Sequence, residues 1–106
     1  MGRLIYNSNV TIFVADRTLA HLQAVIGSKM RDKEYFIFSW RDEVNAGSGG
    51  RNMIWLHPGV SLVYVFSGSY RPEINPEWIT AMLRSASTTD GLSILPEPPF
   101  VGVDQT

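Results

Sequence analysis

The sequence predicts an α+β fold of two layers, a mainly antiparallel sheet carrying two helices in the order ββαβββαβ. Three observations predict it. Asp16 to Lys33 places Leu19, Leu22, Ile26 and Met30 at three- and four-residue steps, with Val25 beside them, which is the period of a helix with one apolar side. Glu34 to Trp40, Asn52 to His57 and Val60 to Phe66 are rich in the aromatic and β-branched residues that pack well on a pleated surface. Asn75-Pro76-Glu77 opens a second helix with a capping Asn, a proline at the first position and an acid near the positive end of the dipole.

Arg3 to Tyr6 and Val10 to Val14 alternate as two strands, and Asn7, Ser8 and Asn9 between them are turn formers, so a hairpin opens the chain. Asp16 is positioned to cap the long helix, and Lys29, Arg31 and Lys33 gather at its negative end. Ala20, Ala24 and Gly27 make a stripe of small residues on that helix. Gly27 costs about 1 kcal/mol relative to Ala, which a close backbone contact would offset, either against the sheet or against a helix of a second copy. Arg41 to Arg51, with Gly47-Ser48-Gly49-Gly50 inside it, reads as a hairpin tip, and Pro58-Gly59 as a tight reversal.

In the three aromatic strands both faces are apolar: Phe36, Phe38 and Trp40 oppose Tyr35 and Ile37, Met53 and Trp55 oppose Ile54 and Leu56, and Leu62, Tyr64 and Phe66 oppose Val63 and Val65. Two helices sharing one face would leave the other as an apolar patch for a partner, and this arrangement is the favoured one. Trp78, Ile79, Met82, Leu83 and Ala86 form the core side of the second helix, Gly91 ends it, and Leu92 to Leu95 makes a last short strand. Residues 1–96 then form one domain. Residues 97–106, which begin within P-E-P-P-F, form an extended, flexible tail.

A chain of 106 residues holds about one domain and buries roughly two thirds of its unfolded surface. The formal charge of -1 supplies no overall positive field for phosphate backbones. The absence of cysteine excludes disulfides and thiol chemistry and fits a reducing cytoplasm. No apolar run approaches the about eighteen residues of a membrane span, and the first residues lack the apolar core of a signal peptide. A cytoplasmic protein without membrane contact is the expectation.

No catalytic, cofactor-binding or metal set stands out. His57, beside Pro58 at a strand end, and His21 are the two histidines, and with no cysteine a three-ligand zinc site would need carboxylates from positions the sequence does not connect. His21 lies one residue off the Leu19 and Leu22 side and is expected to border the core. Gly47 to Arg51 matches neither phosphate-binding glycine motif and leads into a strand where those motifs lead into a helix. No serine lies in a nucleophile elbow. Asp42, Glu43, Glu73, Glu77 and Glu97 are scattered and read as solvated charges.

Four strings carry a resemblance: D-R-T-L-A-H-L-Q-A-V-I-G-S-K-M-R at Asp16 to Arg31, I-W-L-H-P at Ile54 to Pro58, F-S-G-S at Phe66 to Ser69, and W-I at Trp78 and Ile79. In this order they resemble a family of small, uncharacterised actinobacterial proteins whose members are often labelled ATP-dependent DNA ligase. Asn7 and Pro76 depart from that pattern, where the family carries Gly and a basic residue. The ligase label does not fit the chemistry. The attacking lysine of such an enzyme sits in K-x-D-G, whereas Lys29-Met30-Arg31-Asp32 has the wrong spacing and Lys33-Glu34-Tyr35 has neither Asp nor Gly. The opening hairpin and long helix also resemble a ubiquitin-like grasp, at the level of fold alone.

The expected function is therefore a non-enzymatic protein-interaction module that forms a homo-oligomer through an apolar sheet face or edge, with Tyr35, Ile37, Trp55 and Tyr64 at the interface. The alternative is an accessory factor binding nucleotide or nucleic acid beside a DNA-processing enzyme. It would use Arg41, Arg51 and Arg71 with Trp40 and Tyr70, since arginine and aromatic rings together suit stacked bases.

Overall fold

A computed structural model describes residues 1–41 and 50–100. The elements follow the expected order: β1 (Gly2–Tyr6), β2 (Val10–Val14), α1 (Asp16–Arg31), β3 (Phe36–Arg41), β4 (Arg51–Leu56), β5 (Leu62–Val65), α2 (Pro76–Ala86) and β6 (Leu92–Ser93).

The strands divide into two three-stranded sheets, β2-β1-β5 and β4-β3-β6, where a single sheet was expected. All pairings are antiparallel except β3 with β6. The Pro58-Gly59 reversal is present, closed by Val60 N–H donating to the His57 carbonyl at 3.0 Å. It does not make a hairpin of its flanking strands. It passes the chain from one sheet to the other, so that β5 pairs with β1, Ile5 opposite Val63. The β1-β2 turn receives it there: Asn7 and Ser8 adopt positive φ, Asn7 N–H donates to the Ser61 carbonyl at 2.8 Å, and the Asn7 carboxamide accepts from Ser61 N–H at 3.2 Å.

One core joins both sheets and both helices. Leu4 and Ile12 come from the first sheet, Phe36, Phe38, Leu56 and Leu92 from the second, Leu19, Leu22, Val25 and Ile26 from α1, and Trp78, Met82 and Ala86 from α2. The helices lie against each other, α1 also on β1 and α2 on β3 and β6. The large apolar side of α1 is thus buried by its 3.6-residue period, as the sequence predicts.

Three local expectations are corrected. Ala15, not Asp16, is the residue before α1, and no side chain caps the helix. The Asp16 carboxylate instead accepts from Ser67 N–H and Gly68 N–H at 3.1 and 3.0 Å and from the Ser67 hydroxyl, and these backbone donors hold its pKa below the usual range. Gly27 has no close contact, since a Cβ there would meet only the Arg31 guanidinium at 3.6 Å. Gly91 does not end α2, which stops at Ala86 with Ser87 as its cap. Gly91 has φ +80, and a Cβ would come within 2.3 Å of the Ile37 carbonyl oxygen, so glycine is what lets β6 lie against β3.

Candidate functional site

The odd-numbered residues of β3 and the odd-numbered residues of β4 point away from the core, because Phe36, Phe38 and Leu56 point into it and strand side chains alternate. The register sets them out in cross-strand rows: Arg41 opposite Arg51, Ser39 opposite Met53, Ile37 opposite Trp55. At the far end the rings of Tyr35 and His57 stack with centroids 5.9 Å apart. Tyr35 is 73% exposed, Trp55 61% and Met53 49%, while Ile37 is half-buried. This outer face is apolar and aromatic in the middle and at one end, and doubly cationic at the other.

Three of the four residues expected at an interface therefore share one face, namely Tyr35, Ile37 and Trp55. Tyr64 does not join them. Its register opposite Leu4 turns it to the inner side of the other sheet, where it packs against the core and burial pushes its hydroxyl pKa up to about 12. Met53 completes the face and carries the same alternation signal.

The five residues of the nucleic-acid alternative fall into two separate depressions. Trp40, Arg41 and Arg51 line a cleft of about 650 Å³ together with Ile12, Phe13 and Ser93. Tyr70 and Arg71 line another of about 630 Å³, formed with Ala20, Ala24 and Arg31 of α1. The small-residue stripe of α1 thus faces this groove at Ala20 and Ala24. Of the Gly-Ser tip, residues 42–49 lie outside the described residues, as do Asp42 and Glu43.

A buried polar knot escaped the sequence reading. His21 is fully buried beside Trp78, ring centroids 4.5 Å apart. Its Nε2 accepts from the Asn75 backbone N–H at 2.8 Å, and since an amide N–H only donates, Nδ1 carries the proton and donates to the Arg17 carbonyl at 2.7 Å. The Asn75 carboxamide accepts from Glu77 N–H at 3.1 Å, capping α2, and donates to Glu97 and to the Pro98 carbonyl, each at 3.0 Å. Arg17 grips Glu97 from Nε and NH2 at 2.8 and 2.6 Å. Glu97, read as a solvated charge, is therefore bound, and the Arg17 and Asn75 donors lower its pKa to about 2. Residues 97 and 98 are correspondingly fastened to the domain. The knot holds α1, the start of α2 and the chain after β6 together; among the described residues no buried side-chain nitrogen or oxygen is without a partner, so it reads as architecture.

His57 accepts from Gly59 N–H at 3.2 Å and stacks on Tyr35, with no carboxylate bonded to it among the described residues. No group of three or more potential metal ligands lies together among the described residues. No helix of the described structure is long and apolar enough to cross a membrane.

Fold and surface together define a small α+β domain with two three-stranded sheets and an exposed aromatic strand face. The chain belongs to a family known as a domain of unknown function, DUF7882, whose model matches residues 1–97. No curated protein and no solved structure matches it.

Proposed function

We propose that this protein is a non-enzymatic binding module that associates first with a second copy of itself, through the outer face of β3 and β4. The observation that carries the reading is Trp55, 61% exposed in the middle of a face with Tyr35, Ile37 and Met53 around it. Large aromatic side chains at the centre of a patch are the usual anchors of protein interfaces. A two-fold axis lying across the face would set the Arg41 and Arg51 end of one copy over the Tyr35 and His57 end of the other, so that the two arginine rows stand apart and the aromatic middles meet.

A cysteine-free chain suits a reducing compartment, and the module is assigned to the cytoplasm. The resemblance to actinobacterial proteins labelled as ligases is taken as kinship without the ligase reaction, because K-x-D-G is absent from the sequence.

Light scattering after size exclusion, across a concentration series, tests the reading. A dimer is expected, and Trp55→Ala should weaken it by about thirtyfold, the effect of a 2 kcal/mol anchor, while the far-ultraviolet circular dichroism stays unchanged. A wild-type protein that remains monomeric at every concentration would overturn it.

A further inference from the structure

The strand β2 is the outer strand of β2-β1-β5, and its residues, Val10-Thr11-Ile12-Phe13-Val14, include neither a charge nor a proline. Sheet edges are ordinarily guarded by such residues, because an open edge offers unpaired backbone groups to another chain. The cleft of about 650 Å³ runs beside this edge. Its lining includes four consecutive residues, Ile12 to Ala15, on one side and three consecutive residues, Ser39 to Arg41, on another. Successive strand side chains point to opposite faces, so consecutive lining residues mean that strand edges, with their backbone N–H and C=O groups, face the cleft. On β3 the ladder with β6 covers only Phe38 and Ser39, which leaves Trp40 and Arg41 without a ladder partner on that side among the described residues.

Charge marks the same cleft. Arg41 and Arg51, directly opposite each other, both line it, and neither has an ion-pair partner among the described residues. Like charges in that position repel, and a carboxylate placed between them would remove the repulsion. Among the described lining residues the two arginines outnumber the one carboxylate, Asp90.

We propose that this cleft receives an extended segment of a partner protein, added as a strand along the edge of β2 that no described strand pairs with, and with an acidic side chain of that segment held by Arg41 and Arg51. Backbone pairing supplies affinity in strand addition, and the guanidinium pair supplies selectivity. Four added residues span about 13 Å, and the cleft volume lies within the usual range of ligand sites. A single-stranded nucleic acid would bring a phosphate at every step, which one arginine pair and an uncharged strand edge match less well. The site shares Ser39 and the arginine row with the outer face of β3 and β4 and is otherwise separate from it.

The test is fluorescence polarisation with a fluorescein-labelled peptide of alternating threonine and valine that ends in glutamate, beside a version ending in lysine, a version N-methylated at alternate backbone amides, and a labelled oligothymidylate. Saturable binding of the glutamate peptide is expected, weakened about tenfold by Arg51→Ala and by the lysine ending, and lost on N-methylation. Arg84→Ala, which removes an equal charge from α2, should leave it unchanged, and circular dichroism confirms that each variant is folded. Binding indifferent to N-methylation or to Arg51, oligothymidylate binding without peptide binding, or no peptide binding would overturn the proposal. The same samples examined by light scattering report self-association independently, so the two readings can fail separately.

Discussion

Arg17 and Glu97, at opposite ends of the chain, meet in a two-pronged ion pair, Nε to Oε1 at 2.8 Å and NH2 to Oε2 at 2.6 Å. The pair fastens the chain after β6 to the first turn of α1. A third bond from Arg17, NH1 to the Glu73 carbonyl at 2.9 Å, draws in the loop before α2.

Acid should release this clasp. The Arg17 side chain first, and Asn75 second, lower the Glu97 pKa in the folded state from 4.5 to about 2. A depressed carboxyl pKa contributes stability that is fully present above the unfolded value and is lost as pH falls from about 4.5 towards 2. Asp16, held low by Ser67 and Gly68, acts in the same direction. Denaturant unfolding measured along that pH range should show a falling limb, and Glu97→Gln should flatten it while lowering stability at neutral pH. An unchanged slope in the variant would show that the clasp contributes nothing to acid sensitivity.

His21→Phe keeps a flat ring beside Trp78 but removes both ring nitrogens. The Asn75 N–H would lose its partner in a buried place, which costs about 1–3 kcal/mol for an unsatisfied group, while the Arg17 carbonyl would lose one bond and keep its place in the helix. The expected outcome is a clear drop in the urea midpoint with secondary structure retained. A midpoint equal to the wild type would mean that water satisfies these groups.

Gly27→Ala should stabilise the domain by about 1 kcal/mol, because glycine in a helix carries an entropy cost and a Cβ here would meet only the Arg31 side chain at an ordinary contact distance. The measurement is again denaturant unfolding, paired with light scattering. A loss of self-association in this variant would shift the interface from the sheet face to the small-residue stripe of α1.

Local signals carried the elements far. Leu19, Leu22, Val25 and Ile26 announce α1 through their spacing, Asn75-Pro76-Glu77 announces α2 through its capping chemistry, and the aromatic strings announce β3, β4 and β5, because periodicity, propensity and caps act over a few residues. Three of the four residues expected at the candidate face were legible in part for the same reason: alternation puts Tyr35 and Ile37 on one side of their strand and Met53 and Trp55 on one side of theirs, and the β3–β4 register joins the two. Tyr64 has equally clear alternation, but which side of its strand meets the core depends on pairing with β1, which no local signal encodes.

What the sequence by itself determined, then, is the order and type of the elements, the apolar side of each helix, and the absence of thiol chemistry. Tertiary structure alone decided that Pro58-Gly59 divides two sheets, that Gly91 serves the approach of β6 to Ile37, and that Glu97 closes on Arg17. The physical reason is common to all three. Each depends on contacts between residues far apart in the chain, and such contacts are selected by burial and hydrogen-bond satisfaction summed over the whole core, where no single stretch of residues holds the information.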